Sequence, residues 1–165
     1  MFVGIAIGGC LVLTFGIIGA VMIFLYFRQK KEAEESLDWS SALGKITKAH
    51  MRQDISYESG NTLYYPEVEY EYEFLGITYT GDRISFGGSA GNSNRKKTAE
   101  ILAQYPLNKT VTVYYDPNSP ESAVLERKVG MGGKVLLIVG IVFILVALCT
   151  LCVGGVATVA NAMGY

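Results

Sequence analysis

The chain has 165 residues, half of them hydrophobic, and its 14 basic and 15 acidic residues leave a net charge of −1. That balance lacks the basic footprint of a nucleic-acid binder, so no nucleic-acid partner is expected. Every charge lies between Arg28 and Lys134, so two uncharged stretches bracket one polar region large enough for a single small core.

The first uncharged stretch, residues 2–27, is about 26 residues long. A helix rises ~1.5 Å per residue and the hydrocarbon core is ~30 Å thick, so this stretch predicts a transmembrane helix. A cleaved signal peptide is the rival reading. It would need a basic n-region and a small-residue cleavage site. Only Met1 and Phe2 precede the apolar run, and Arg28, Lys30 and Lys31 follow it directly, so an uncleaved anchor is expected. Gly4 and Gly8 have the spacing of a close helix–helix seam. A homo-oligomer through the spans is therefore a further expectation.

Residues 28–38 read as a juxtamembrane helix, with a pattern reaching about Leu43. Lys31 and Glu35 stand four apart, and Ala33 and Leu37 share a face. Trp39 is expected in the core or at the junction between domain and membrane. A β-rich domain over residues 39–126 should follow. Its first strand is expected from Gly44 to Tyr57, with Asp54, Ser59, Gly60 and Asn61 marking irregular connections.

Residues 67–74 alternate without a fault, placing Val68, Tyr70, Tyr72 and Phe74 on one face and Glu67, Glu69, Glu71 and Glu73 on the other. Leu75 and Gly76 then predict a two-residue turn. Such a turn pairs Phe74 with Ile77 and Tyr72 with Tyr79, and opposes Glu73 and Glu71 to Thr78 and Thr80. A β-bulge near Gly81 and Asp82 is expected to keep Ile84 and Phe86 in the core.

Residues 87–93 read as a flexible loop. Ser93 or Asn94 should cap a helix through about Tyr105, with Ala99, Ile101 and Leu102 available for packing. Residues 110–115 predict a strand with Val111, Val113 and Tyr115 on one face. Residues 116–120 form a rigid turn, and 123–125 a last short strand. A linker is expected over 127–134 and a second transmembrane helix over 135–159.

Several residues invite chemistry. The four glutamates stand about 7 Å apart along their strand. They can form a solvated face offset by Lys and Thr on neighbouring strands, a partner-binding surface, or part of a Ca²⁺ site. Of these, a partner surface at Glu67, Glu69, Glu71 and Glu73, together with the loop over residues 87–94, is the expected functional use. His50 is the single histidine, which makes a poor metal site. A triad of His50 and Asp82 with Ser56 or Ser85 lacks a nucleophile-elbow context. The glycine-rich loop before Arg95, Lys96 and Lys97 lacks the phosphate-loop spacing. Cys149 and Cys152 have redox or metal spacing but sit with Cys10 in the spans, away from further ligands. No catalytic residue, metal or cofactor is expected.

Trp39 followed by Gly44, Lys45 and Ile46, the run from Tyr65 to Tyr72, Gly76 to Tyr79, and Val113 to Pro117 with Pro120 and Leu125 together resemble the domain-of-unknown-function 3592 family. The resemblance covers about residues 39–125. It implies a compact β-rich module in a small membrane protein and supplies no catalytic residue.

The expected fold is an α+β membrane protein. Two transmembrane helices flank a small antiparallel β-sheet or partial barrel with one short helix. Arg28, Lys30 and Lys31 after the first span, and Arg127, Lys128 and Lys134 before the second, place the domain in the cytoplasm with both termini outside, most naturally in the cell membrane. The expected function is a non-enzymatic interaction or accessory module that meets the lipid bilayer and an unknown protein partner. The alternatives are a small-ligand or ion sensor with a tyrosine-lined pocket and, below that, an enzyme.

Overall fold

The computed structural model describes residues 2–55 and 60–162, with side chains at residues 9, 12–55 and 60–152. The side chains of Gly4, Gly8 and Cys10, and all of Ser56, Tyr57 and Ser59, lie outside the described residues. The chain divides into two compact units, Met1–Phe27 with Lys134–Tyr165, and Arg28–Gly133.

The first unit belongs to two long helices, α1 (Phe2–Glu35) and α3 (Met131–Ala162). Both contain stretches long and apolar enough to cross a membrane. They approach closely where glycine leaves room. A Cβ on Gly19 would lie 2.9 Å from the Gly140 carbonyl oxygen, and one on Gly140 would lie 2.9 Å from the Ile23 side chain. Phe15 and Phe143 pack beside this crossing, ring centroids 5.4 Å apart.

In the second unit α1 runs on without a break, so residues 28–35 are its last turns rather than a separate helix. Arg28, Lys30 and Lys31 each pair with a glutamate four residues on, at 3.1, 3.6 and 3.6 Å. A 3₁₀ turn, Ser36–Asp38, ends the helix, and the Ser36 hydroxyl donates to the Ala33 carbonyl at 2.7 Å. The helical pattern read to Leu43 is thus cut short, because β1 (Ser40–Ile55) begins at once.

β2 (Thr62–Phe74), β3 (Ile77–Gly81), β5 (Thr110–Asp116) and β6 (Ser119–Val124) complete a five-stranded antiparallel sheet in the order β3-β2-β1-β5-β6. The expected hairpin register holds, with Phe74 opposite Ile77 and Tyr72 opposite Tyr79. Between them Leu75 and Gly76 take positive φ angles of 52° and 77°, as a type I′ turn requires. At the other hairpin the Asp116 carboxylate accepts from the Asn118 N–H at 2.9 Å and fixes the bend.

No bulge forms at Gly81. The chain leaves the sheet there, and β4 (Ser85–Phe86) pairs in parallel with β7 (Glu126–Val129), where a linker was expected. This detour sends Ile84 and Phe86 to two different cores. The main core holds Ile46, Val68, Tyr70, Tyr72, Tyr105, Val113 and Tyr115, with Ile84 and Leu102 against it. The smaller one holds Ala33, Phe86 and Val124, with Trp39 meeting Phe86 edge to face at 5.6 Å.

The short helix α2 (Arg95–Leu102) is capped by Asn94, whose side chain accepts from the Lys96 N–H. It ends before Tyr105. Thr98 is its fully buried residue, whereas Ala99 is exposed and Ile101 is 37% exposed, contrary to expectation. The helix turns this face inward because the Thr98 hydroxyl bonds the Tyr64 carbonyl of β2 at 3.3 Å.

Candidate functional site

The glutamate row lies on the outer face of β2, and β1 runs antiparallel beside it. Lys45 stands opposite Glu71, Lys48 opposite Glu69 and His50 opposite Glu67. One extra residue, Thr47, shifts the register between Ile46 and Lys48, and this bulge puts Lys45 and Lys48 on the same face.

The consequence is a zipper of ion pairs along half of the row. Lys48 Nζ reaches Glu69 at 2.8 Å, and Glu67 is bonded by Arg52 Nε at 2.6 Å and His50 Nε2 at 2.9 Å. Arg52 also pairs with Asp54 at 2.5 Å and lies 4.4 Å over the Tyr65 ring. The hydrogen bond and charge of Glu69 raise the Lys48 pKa. For Arg52 desolvation is the largest single influence and lowers the pKa, but Asp54 and Glu67 together outweigh it.

The other half of the row is different. Glu71 and Glu73 are exposed and, among the described residues, form no ion pair within the 4.0 Å limit of a salt bridge. Leu43, which immediately precedes the Gly44 that pairs with Tyr72, is 75% exposed beside them. Thr78 and Thr80 flank them on β3. The row is therefore not one uniform surface. Its far half is neutralised within the sheet, and its near half presents two free carboxylates next to a large exposed apolar side chain.

The loop over residues 87–94 is tethered rather than loose. Tyr64 and Asn92 exchange both backbone hydrogen bonds, and a Cβ on Gly91 would run into the Tyr65 ring. Gly87 and Gly88 take positive φ angles of 76° and 66°. Gly88 O accepts from the Gly132 N–H at 3.2 Å. A cleft of about 390 Å³ lies between this loop and β2, lined by Arg52, Tyr65, Glu67, Asp82, Arg83 and Ser89 among others. Its two guanidinium groups are already engaged, Arg52 as above and Arg83 with the Ser122 hydroxyl at 2.8 Å.

The tyrosines pack against one another. Tyr72 stacks between Tyr79 and Tyr115, each 5.8 Å away, and its hydroxyl donates to the Pro120 carbonyl. Burial, reinforced by Tyr79 and Glu121, pushes its pKa up to about 12. Burial likewise raises Tyr70, whose hydroxyl donates to the Arg83 carbonyl, and Tyr105, whose hydroxyl donates to Glu126.

His50 is committed to Glu67, and Ser85 is buried. Ser56 lies outside the described residues. Among the described residues no three His, Cys, Asp or Glu side chains converge as a metal site would need. The alternation predicts the acidic face and Lys on a neighbouring strand to offset it, but not which cation meets which carboxylate, because Thr47 and Lys48 are both polar and hide the bulge that aligns them.

Residues 42–130, more than half of the chain, match a family model described as "Domain of unknown function (DUF3592)". No curated protein matches the chain.

Proposed function

The chain belongs to the DUF3592 family, and on that premise we propose that it is a membrane-anchored, non-enzymatic interaction module. The observation that carries this reading is the patch of Glu71, Glu73 and Leu43. Two unpaired carboxylates beside a 75%-exposed leucine suit a protein partner that offers basic side chains around an apolar one. The filled aromatic core fits this reading, since Tyr72, Tyr79 and Tyr115 spend their faces on each other. Glu67 and Glu69, already paired, contribute little beyond the shape of the sheet.

The two apolar helices support an integral membrane protein of the cell membrane. The basic residues at their domain-side ends support a cytoplasmic domain with both termini outside. Ser89 is exposed and reports the side. With Ser89→Cys in a chain lacking native cysteines, an impermeant thiol reagent should label lysed cells and spare intact ones. Equal labelling of both would reverse the orientation.

The interaction reading is tested with a photo-crosslinking residue at Leu43 in the native membrane. A discrete protein adduct is expected, lost when Glu71 and Glu73 are both changed to Lys. An adduct that survives the double change, or none at all, removes this patch as the binding surface.

A further inference from the structure

β1 and β2 form a long hairpin whose two edges are treated differently. On the β2 side the edge is covered at its middle. Tyr64 bonds Asn92 with both backbone groups, Thr98 bonds the Tyr64 carbonyl, and Pro66 has no N–H to offer. On the β1 side, β5 pairs only as far as Lys45, and Ile46 makes the last two bonds, to Lys109 and Asn108. From Thr47 to Ile55 the outer edge of β1 has no backbone partner among the described residues.

Parity shows which groups are left over. Tyr64 turns both backbone groups away from β1, so its partner Gln53 turns both away from β2. Counting in twos, Ala49, Met51, Gln53 and Ile55 aim their N–H and C=O groups at the open edge. The same residues carry Met51 and a 56%-exposed Ile55, and the segment contains no proline. A free edge of this length is a template for another strand.

We propose that this edge pairs antiparallel with the same edge of a second copy of the chain, about a twofold axis at Met51. The register that uses the whole free edge sets Thr47 opposite Ile55 of the second copy, Ala49 opposite Gln53, and Met51 opposite itself. Apart from the bulged Thr47, these are the residues whose backbone groups face outward, so the ladder closes on hydrogen bonds that neither copy can make alone. On the outer face the register sets Lys48 opposite Asp54 of the second copy, twice by symmetry. It also sets His50 opposite Arg52, a juxtaposition tempered by the Glu67 that each copy bonds to both. Ile46, bonded to Asn108 and Lys109, limits the ladder at one end, and the end of β1 at Ile55 limits it at the other. A two-copy sheet follows, in the order β3-β2-β1-β1-β2-β3 across the axis.

The test uses the full-length chain in native membranes, with Cys10, Cys149 and Cys152 replaced by Ser. Hydrogen-bonded antiparallel partners have Cα atoms about 5.5 Å apart and non-bonded partners about 4.5 Å, both within reach of a disulfide. Met51→Cys should therefore form a disulfide-linked dimer under mild oxidation, and Gln53→Cys should not. Lys48→Cys and Asp54→Cys, expressed as two differently tagged chains, should link to each other when mixed and not when alone. Equal linking at Met51 and Gln53, linking only to other proteins, or no linking in a chain that light scattering finds monomeric would each overturn the proposal.

Discussion

Tyr70 faces Gly81 across the β2–β3 ladder, and its ring fills the space a side chain at 81 would need. A Cβ there would lie 2.6 Å from the ring carbons. Tyr70 is fully buried, and its hydroxyl is held by the Arg83 carbonyl, so the ring cannot swing aside. Gly81→Ala should cost about 1–3 kcal/mol, as overpacking of a core does. For a domain of this size that lowers the melting temperature by roughly 4 °C or more, read by circular dichroism of the full chain in detergent. An unchanged midpoint would mean that Tyr70 yields.

The turn at residues 75–76 allows opposite outcomes from neighbouring positions. Leu75 holds a positive φ that costs a branched L-residue about 1–2 kcal/mol, and Asn tolerates that conformation better. Leu75→Asn should raise the urea midpoint, and Gly76→Val should lower it by an amount worth about 1 kcal/mol or more. Equal effects of one sign would remove the type I′ assignment.

The two faces of β2 should respond differently to neighbouring substitutions. Tyr72→Glu places an unpaired charge among Tyr79, Tyr115 and Phe74, which threatens a domain with only about 5–15 kcal/mol of stability. Glu71→Gln, on the exposed face, should change stability by less than about 0.5 kcal/mol. Thermal unfolding of both variants decides it. A folded Tyr72→Glu chain would contradict the burial.

Alkali provides a fourth test. Tyr72 ionises near 12 in the folded chain against an ordinary 10, and Tyr70 and Tyr105 are also raised by burial. A raised folded pKa means that the unfolded chain loses its protons first. The stabilisation is complete below pH ~10 and is lost as pH rises from ~10 towards ~12. Tyrosinate absorbance and loss of sheet circular dichroism should therefore rise together in that window. Full ionisation of every tyrosine with the sheet intact would contradict the burial.

The sequence revealed what short range controls. A two-residue turn sets its own register, so Phe74–Ile77 and Tyr72–Tyr79 followed from spacing alone. The onset of charge at Arg28 suggests two helices where α1 is one, because charge ends an apolar stretch without ending a helix. The parallel pair β4–β7 has no local signal, since Ser85 and Glu126 meet only after α2, β5 and β6 have been laid down between them. Periodicity points to Ala99 rather than Thr98 because the burial of Thr98 rests on one bond to a distant carbonyl. Of the candidate site, the carboxylates and the presence of Lys beside them are legible, but the register that assigns each partner on β1 is not, because it turns on the bulge at Thr47.

Gln29, near the end of α1, lies against Gly133, near the start of α3, and against Gly87 between them. The first and last residues of the polar unit thus come together. In topological terms the unit is an insertion, a complete fold threaded into what would otherwise be one helical hairpin. An insertion whose ends meet can be lifted out. Joining residue 133 to residue 28 through a short linker would give a closed circle with new ends placed at Gly60, and the sheet would keep every strand neighbour it has now.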